Sequence, residues 1–511
     1  MKKIFGISIF ALITVLLLAL YKGDFSSFLK YQSETTTDLG GPFESTNSNS
    51  RYALTEAIVQ NHSLFFNLSL AKFASPDITK YHGRYFSIFT PGVSFLGVPL
   101  YILGSLWGLP QIFAYFLNII AALINVFLIS RLARKLGVAF YPALIGGLTF
   151  LFATNSLVYA LTYTQHELST MLVLLALLNA FASRTVLKNI ELGIIFSAGM
   201  LMDIPNAYLI LPVTIFVLFK HLNVRQLNTK INLRLNLKFI FVGLGLIPLL
   251  IFFGWYNYQL TGSYFKLGQT IGRAHDKFVQ QADQTPDQSA LQKAVATPFS
   301  KPLISTPFNT RDELNGLYIL LVSNERGWLY FSPIVLIGLW GWGLVYRAGK
   351  NREFLAVIAA VILADIVSYS MFGDPWGGWA FGPRYLIPAA ALLCTFTGVT
   401  IQRFSRKPLF VLIFTGLLVY SVVINSLGAL TTAAIPPKME AVNLPSRIPY
   451  TYKYNWQLID TNFSGSLFYN LYLKKKIASK TYLYIYSAAV LAVFAFLYLA
   501  VILEKNEGRS G

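Results

Sequence analysis

The stretch with the richest chemistry is Gly373-Asp374-Pro375-Trp376-Gly377-Gly378-Trp379-Ala380-Phe381-Gly382-Pro383-Arg384-Tyr385. Its four glycines let the backbone approach a ligand and take positive φ, its tryptophans suit a membrane interface, and Arg384 opens the apolar run that follows. A glycine loop beside a fixed guanidinium makes a cradle for phosphate oxygens, so Gly378, Trp379 and Arg384 are candidate contacts for a phosphate, and Asp374 for a substrate. An aromatic-belt loop with a snorkelling arginine is the plainer reading of the same residues.

A second concentration of charge runs from Asn47 to Glu56, with Arg51, and from Asp77 to Ser87, with Lys80, Arg84 and Tyr85, ahead of Thr90-Pro91-Gly92. Such a cluster can supply a general base and cations that grip phosphate, since a carboxylate accepts a hydroxyl proton and Arg binds two phosphate oxygens at once. A solvated loop of ordinary polar residues competes with that reading. His166 and Glu167 follow Thr162-Tyr163-Thr164-Gln165 and are candidate substrate contacts, although a helix start explains Glu167 without any ligand. Asp203 and Asp365 are ionisable residues in apolar surroundings, which makes each a functional hypothesis. The five histidines show no metal-ligand spacing, no P-loop, GxSxG or HExxH motif occurs, and no metal is expected.

These residues must be positioned by a membrane scaffold. Of 511 residues 55% are hydrophobic and 12% charged, and the mean hydropathy is +0.55. So few charges cannot cover a soluble globule, which excludes a soluble enzyme. A net charge of +19 would suggest nucleic acid in a soluble protein, but here it reflects basic loops on one side of a membrane, and no nucleic-acid partner is expected. The single cysteine, Cys394, excludes an intramolecular disulfide framework.

The apolar runs predict an all-α polytopic membrane protein with about twelve spans. They begin with an uncleaved span from Ile4 to Leu20 and continue near Gln111–Ser130, Phe140–Ala160, Glu167–Phe181, Leu192–Met202, Asn206–Phe219, Phe239–Tyr256, Trp328–Tyr346, Phe354–Met371, Tyr385–Ile401, Leu409–Leu427 and Tyr482–Leu503. The short pair around Asp203-Ile204-Pro205 reads as a hairpin that does not fully cross. Basic residues at Arg131–Lys135, Arg184–Lys188, Lys220–Lys238, Arg347–Arg352 and Arg403–Lys407 fall in alternate loops, which are assigned to the cytoplasm. The apolar segment Pro91–Trp107 would break that alternation as a span, so it reads as a helix lying in or re-entering the outer interface, which Pro91, Gly92, Gly97 and Pro99 permit. Long exoplasmic loops at 21–110, 257–327 and 428–480 then carry the material for function. Residues 1–427 read as one catalytic module and 428–511 as a last exoplasmic loop, span and tail. Lys474, Lys475, Lys476 and Lys480 resist this layout, because they lie on the exoplasmic side of the last span; snorkelling and capture of an anionic headgroup both account for them. The polar stretch Gln280–Gln292 reads as a mobile loop.

A first span, a large outer loop with acidic residues, and Gly83-Arg84-Tyr85-Phe86-Ser87 leading to Pro91-Gly92 resemble the bacterial membrane glycosyltransferases of family 39 type, the protein O-mannosyltransferase-like branch of the GT-C superfamily. The Arg326–Pro333 stretch and the glycine loop ending at Arg384 extend the likeness to about Ile401. The resemblance implies transfer of one sugar, with inversion and without a metal or other cofactor, from a polyprenyl-phosphate donor to a glycan, lipid or protein acceptor at the outer face of a bacterial plasma membrane. Asp77 is the first choice for the base, because it precedes the Gly83–Ser87 segment and lies near the interfacial helix, with Glu44 as the second; Arg384, which follows the glycine loop, and Arg51, Arg84 and Lys80 are candidates for the donor phosphate, and Tyr85 for a substrate contact. The sequence departs from the related loops at Asn47-Ser48-Asn49 and at Ile88-Phe89, where relatives often carry an acidic residue and Asp-Lys. A transporter or flippase of a lipid-linked saccharide, and a non-catalytic relative, stand as alternatives. Transporters often show repeated halves, and no repeat is found here.

Overall fold

The structure is a computed structural model that describes residues 2–23, 38–227, 230–274, 308, 313–349, 351–444 and 447–507. The segment 280–292 read above as a mobile loop lies outside the described residues.

The main helices are α1 (Lys2–Ala19), α2 (Thr46–Gln60), α3 (Leu68–Ala74), α4 (Gly92–Ser105), α5 (Pro110–Lys135), α6 (Phe140–Ala153), α7 (His166–Ala180), α8 (Val186–Met202), α9 (Asn206–His221), α10 (Ile240–Thr261), α11 (Val335–Arg347), α12 (Arg352–Ser370), α13 (Ile387–Phe404), α14 (Pro408–Leu430) and α15 (Ser479–Glu507), most of them formed by the apolar runs. Among the described residues six helices are long and apolar enough to cross a membrane (α5, α10, α12, α13, α14 and α15), and shorter apolar helices accompany them. The protein is a helical, polytopic membrane protein.

Two expected spans are interrupted. The run Phe140–Ala160 leaves helical geometry at Thr154, which is extended and turns its Oγ1 back to the Phe150 carbonyl (2.6 Å). The run Trp328–Tyr346 is divided at Ser332-Pro333, because proline lacks the amide that the helix needs. Helix crossings use small residues, as expected where lipid offers no hydrophobic drive between helices. A Cβ on Gly193 of α8 would lie 2.1 Å from the Val242 carbonyl oxygen, and one on Gly245 of α10 would lie 2.1 Å from that of Ile190.

Basic helix ends gather at one end of the bundle. Ala139 N–H donates to Gln402 (2.6 Å), and Lys220 Nζ donates to the Ala180 carbonyl (3.2 Å). At the other end Asn118 of α5 donates to the Thr164 carbonyl (2.8 Å), and Asn125 donates to Glu167 (2.8 Å). Helix α4 keeps both of its ends on this second side. Gly92 packs on Leu201 and Met202 at the end of α8, and Leu109 N–H closes on Gly104 just before α5 begins. Its fourteen residues extend about 21 Å, short of the roughly 30 Å hydrocarbon core. The hairpin tip at Asp203 is on the same side, where Thr90 Oγ1 donates to the Met202 carbonyl (2.9 Å).

Two small antiparallel hairpins depart from the all-helical expectation. Strand β1 (Ile78–Tyr81) pairs with β2 (Arg84–Ser87), with Lys80 opposite Tyr85, through a His82-Gly83 turn in which both residues have positive φ. Strands β3 (Leu222–Leu227) and β4 (Lys230–Leu235) pair within the basic Lys220–Lys238 loop.

Candidate active site

Helix α2 is polar in sequence yet buried along residues 47–55, so this stretch is not the solvated loop that competed with a functional reading. It carries Arg51 into the interior with no exposed surface. Arg51 Nε donates to Asn47 Oδ1 (3.1 Å), Nη2 donates to Gln165 Oε1 (3.0 Å), and the guanidinium lies 4.4 Å above the Phe89 ring. Its Nη1 is buried with no partner. The other side of the Gln165 amide donates to Asp203 Oδ2 (2.9 Å), so one carboxamide joins the buried cation to the hairpin tip. Burial lowers Arg51 to about 10, against the pull of Asp203 and Asp77, and the side chain stays protonated at neutral pH. Burial raises Asp203 above the usual carboxylate range, opposed by Arg51 and the Gln165 hydrogen bond.

The glycine loop is held by a different arginine. Arg326, fully buried, donates to the carbonyls of Trp376 (2.9 Å), Glu325 (2.8 Å), Gly378 (3.0 Å) and Ile435 (2.7 Å). Burial brings it to about 10. With the loop fixed by Arg326, Arg384 is left for other work. Its Nε is buried without a partner, its guanidinium faces the Tyr385 ring at 5.4 Å, and Tyr385 stacks on Tyr369 at 4.2 Å. Gly377, at φ +70°, gives Arg384 its room: a Cβ there would lie 2.7 Å from Nε. Asp374 is within electrostatic reach of Arg384.

His166 connects the two centres. Its ring is T-shaped to Tyr159 at 5.0 Å, its Nε2 is buried with no partner, and both Arg51 and Arg384 are within electrostatic reach of it. Asn155, fully buried in the break after α6, also leaves both amide atoms unpartnered. Unmet buried polar groups of this kind cost about 1–3 kcal/mol each.

Asp77 sits beside this group, 4% exposed and within electrostatic reach of Arg51. Its Oδ2 accepts from Thr46 Oγ1 (2.7 Å), and its Oδ1 is 2.8 Å from Arg273 Nη2, whose side chain is 62% exposed. Glu44 has a structural task. Oε1 accepts from Lys22 Nζ (2.7 Å) and Ala433 N–H (3.0 Å), and Oε2 accepts from Gly40 N–H (2.8 Å) and Thr432 Oγ1 (2.5 Å). These four contacts occupy both of its oxygens. Glu167 likewise accepts from Ser156 Oγ (2.7 Å) and Asn125 Nδ2 (2.8 Å) and joins α7 to α5.

The remaining candidates are engaged elsewhere. Lys80 lies 5.1 Å from the Tyr85 ring, its cross-strand partner. Arg84 is exposed at the end of the β1–β2 hairpin, 4.9 Å above Phe65. Trp379 donates from Nε1 to Glu440 Oε2 (2.5 Å), and the Gly378 carbonyl is held by Arg326. Electrostatic reach links Arg51 to Asp77, His166 to both Arg51 and Arg384, and Arg384 to Asp374, whereas Glu44, Glu167, Lys80, Arg84 and Trp379 have the partners named above. Sequence reasoning passed over Gln165, whose only signal was its place beside His166, and Asn155, which had none. Among the described residues no three His, Cys, Asp or Glu side chains come together as metal ligands.

No protein-family model and no curated protein matches this sequence. Among solved structures, the chain is similar to the oligosaccharyltransferase AglB of Archaeoglobus fulgidus in complex with an inhibitory peptide and a dolichol-phosphate, with 14% identity and a TM-score of 0.47 over 87% of this chain and 59% of that one. A structure of the Archaeoglobus fulgidus oligosaccharyltransferase in complex with Zn and sulfate gives 15% identity and a TM-score of 0.45 over 86% of this chain and 55% of that one. ArnT of Cupriavidus metallidurans bound to undecaprenyl phosphate gives 13% identity and a TM-score of 0.42 over 99% and 78%. The chain thus spans less than two thirds of the two oligosaccharyltransferase chains.

Proposed function

We propose that the protein is a GT-C-type membrane glycosyltransferase that moves one sugar from a polyprenyl-phosphate donor to an acceptor hydroxyl at the outer face of the membrane. The observation that carries this reading is the pair of arginines, Arg51 and Arg384, that share His166 as a neighbour and each keep a buried N–H without a partner. Phosphate oxygens complete such donors with charge-assisted hydrogen bonds. The sequence resemblance to the family 39 type supports the same donor class.

In this reading Asp77 is the base. Swinging the exposed Arg273 away frees Oδ1, while Thr46 keeps Oδ2 in place. Oδ1 takes the proton of the acceptor hydroxyl, the hydroxyl oxygen forms a bond to the anomeric carbon from the face opposite the phosphate, and the sugar–phosphate bond breaks with its electron pair passing to phosphate. The two guanidiniums receive that charge. His166 and Asn155 offer hydrogen bonds to sugar hydroxyls. An apolar groove of about 720 Å³ along α14, lined by Leu412, Val419, Val423, Tyr452 and Trp456, offers room for a prenyl chain. Tyr452 meets Phe331, which packs on Phe381 of the glycine loop.

The test is binding of polyprenyl phosphate to the purified protein in detergent, followed by native mass spectrometry. Retention of the lipid by the unaltered protein and its loss in Arg51→Ala and Arg384→Ala support the reading. No retention by the unaltered protein, or equal retention by folded variants, rejects it.

A further inference from the structure

The lysines that resisted the charge pattern sit at a defined depth. Ser466 Oγ donates to the Ala19 carbonyl (2.7 Å), Leu467 N–H to the Tyr21 carbonyl (2.8 Å), and Tyr482 Oη to the Ala19 carbonyl (2.8 Å). The segment between them therefore lies level with the end of α1 and the start of α15, at the membrane surface, on the side of the bundle opposite the basic loops. It holds a single π-helical turn, Tyr469–Leu473, and then Lys474, Lys475 and Lys476.

Two properties of this turn go together. Phe468, Leu471 and Tyr472 are 43%, 50% and 62% exposed, an apolar and aromatic surface suited to the boundary between headgroups and acyl chains. Lys474, Lys475 and Lys476 are exposed beside it, and among the described residues none of the three has an ion-pair partner. The nearby carboxylate is already used, because Asp460 pairs with Lys480 (2.8 Å). Snorkelling brings each ammonium to the level of the headgroups, and there three consecutive unpaired charges beside an exposed apolar face meet anionic lipid.

We infer that Phe468, Leu471, Tyr472 and Lys474–Lys476 form a docking surface for anionic phospholipid in the leaflet on the site-bearing side. The aromatic and apolar side chains enter the boundary region, and the three ammonium groups meet the phosphodiester headgroups. Lysine suits this task, since a compact charge on a flexible stem accepts headgroups in many orientations, where arginine's planar fork would select one. A surface lysine attracts anionic lipid about fivefold, so three together give roughly 10²-fold, less in high salt. This inference does not depend on the proposed enzyme activity.

The test uses the full chain in nanodiscs of phosphatidylcholine with a minor share of phosphatidylglycerol, released into the gas phase so that retained lipids are counted by native mass spectrometry. The unaltered protein is expected to retain phosphatidylglycerol over phosphatidylcholine. Joint replacement Lys474→Gln, Lys475→Gln and Lys476→Gln is expected to abolish that preference, and joint replacement by Arg to preserve it. All three side chains are exposed, so thermal stability in detergent should match across the set, and a Gln variant that melts early is read instead through Phe468→Ser with Leu471→Ser. Preference retained by the Gln variant, or absent from the unaltered protein, overturns the inference. So does capture of a soluble polyanion such as polyphosphate by the lysines without any lipid preference.

Discussion

Gly377 stands directly under Arg384: a methyl group on its Cα would lie 2.7 Å from Arg384 Nε. The glycine also holds φ +70°, where an L side chain costs about 1–2 kcal/mol. Gly377→Ala is therefore expected to displace the guanidinium as well as strain the loop. Polyprenyl-phosphate binding should fall together with thermal stability, and unchanged binding would separate Arg384 from the phosphate.

Arg384→Lys keeps the charge and loses the planar fork, whereas Arg384→Ala loses both. Charge-assisted hydrogen bonds of about 1.5–3 kcal/mol predict a drop in lipid-phosphate affinity of roughly 10–100-fold for Ala and a smaller one for Lys. A titration of the folded variants with polyprenyl phosphate measures it.

Asp77 and Glu44 should separate cleanly. Asp77→Asn is expected to lower kcat by about 10²–10⁴ and leave donor affinity nearly intact. Glu44→Gln leaves the buried Lys22 ammonium without its counter-charge and should cost about 3–5 kcal/mol of stability instead. Turnover in reconstituted protein and melting in detergent provide the two readouts. Normal turnover in Asp77→Asn would move the base elsewhere.

Asp203 supplies a pH dependence. Burial raises its folded pKa above the ordinary 3.8, so the folded protein holds that proton more tightly than the unfolded chain. Its contribution to stability is complete below the unfolded value and is lost as pH rises through the folded one. The melting temperature of the unaltered protein relative to Asp203→Asn should therefore fall as pH rises from about 4. A flat difference would mean that Asp203 is not buried as described.

Arg326 is expected to be the more damaging arginine to lose for folding, and Arg384 for binding. Arg326→Lys cannot serve four carbonyls from Glu325, Trp376, Gly378 and Ile435 at once. Truncating it to Ala leaves those acceptors buried, at about 1–3 kcal/mol each where water cannot enter. Limited proteolysis of the 373–385 loop reads this directly.

The helices were legible because apolar runs are local signals. The breaks were less so: Thr154 ends α6 through a hydrogen bond to its own preceding turn, which composition does not reveal. The β1–β2 hairpin was hidden by strands of only four residues, although His82-Gly83 is a turn signal. Within the site, Arg51 and Arg384 stood out as types in context. The fate of Glu44 did not, because the residues that occupy it include Thr432 and Ala433, which only the fold brings near. Gln165 is likewise an ordinary glutamine until Arg51 and Asp203 lie on either side of it.

The closure between the first and last helices bears on biosynthesis. The Ala19 and Tyr21 carbonyls at the end of α1 are bonded by Ser466, Leu467 and Tyr482. When α1 enters the membrane, the ribosome has yet to make the partners that cap it, and they emerge only after the intervening helices. Until then, helix-end carbonyls wait in the interface for water or another protein to serve them. A chain cut short before Ser466 would therefore lack the Ser466, Leu467 and Tyr482 donors to the Ala19 and Tyr21 carbonyls.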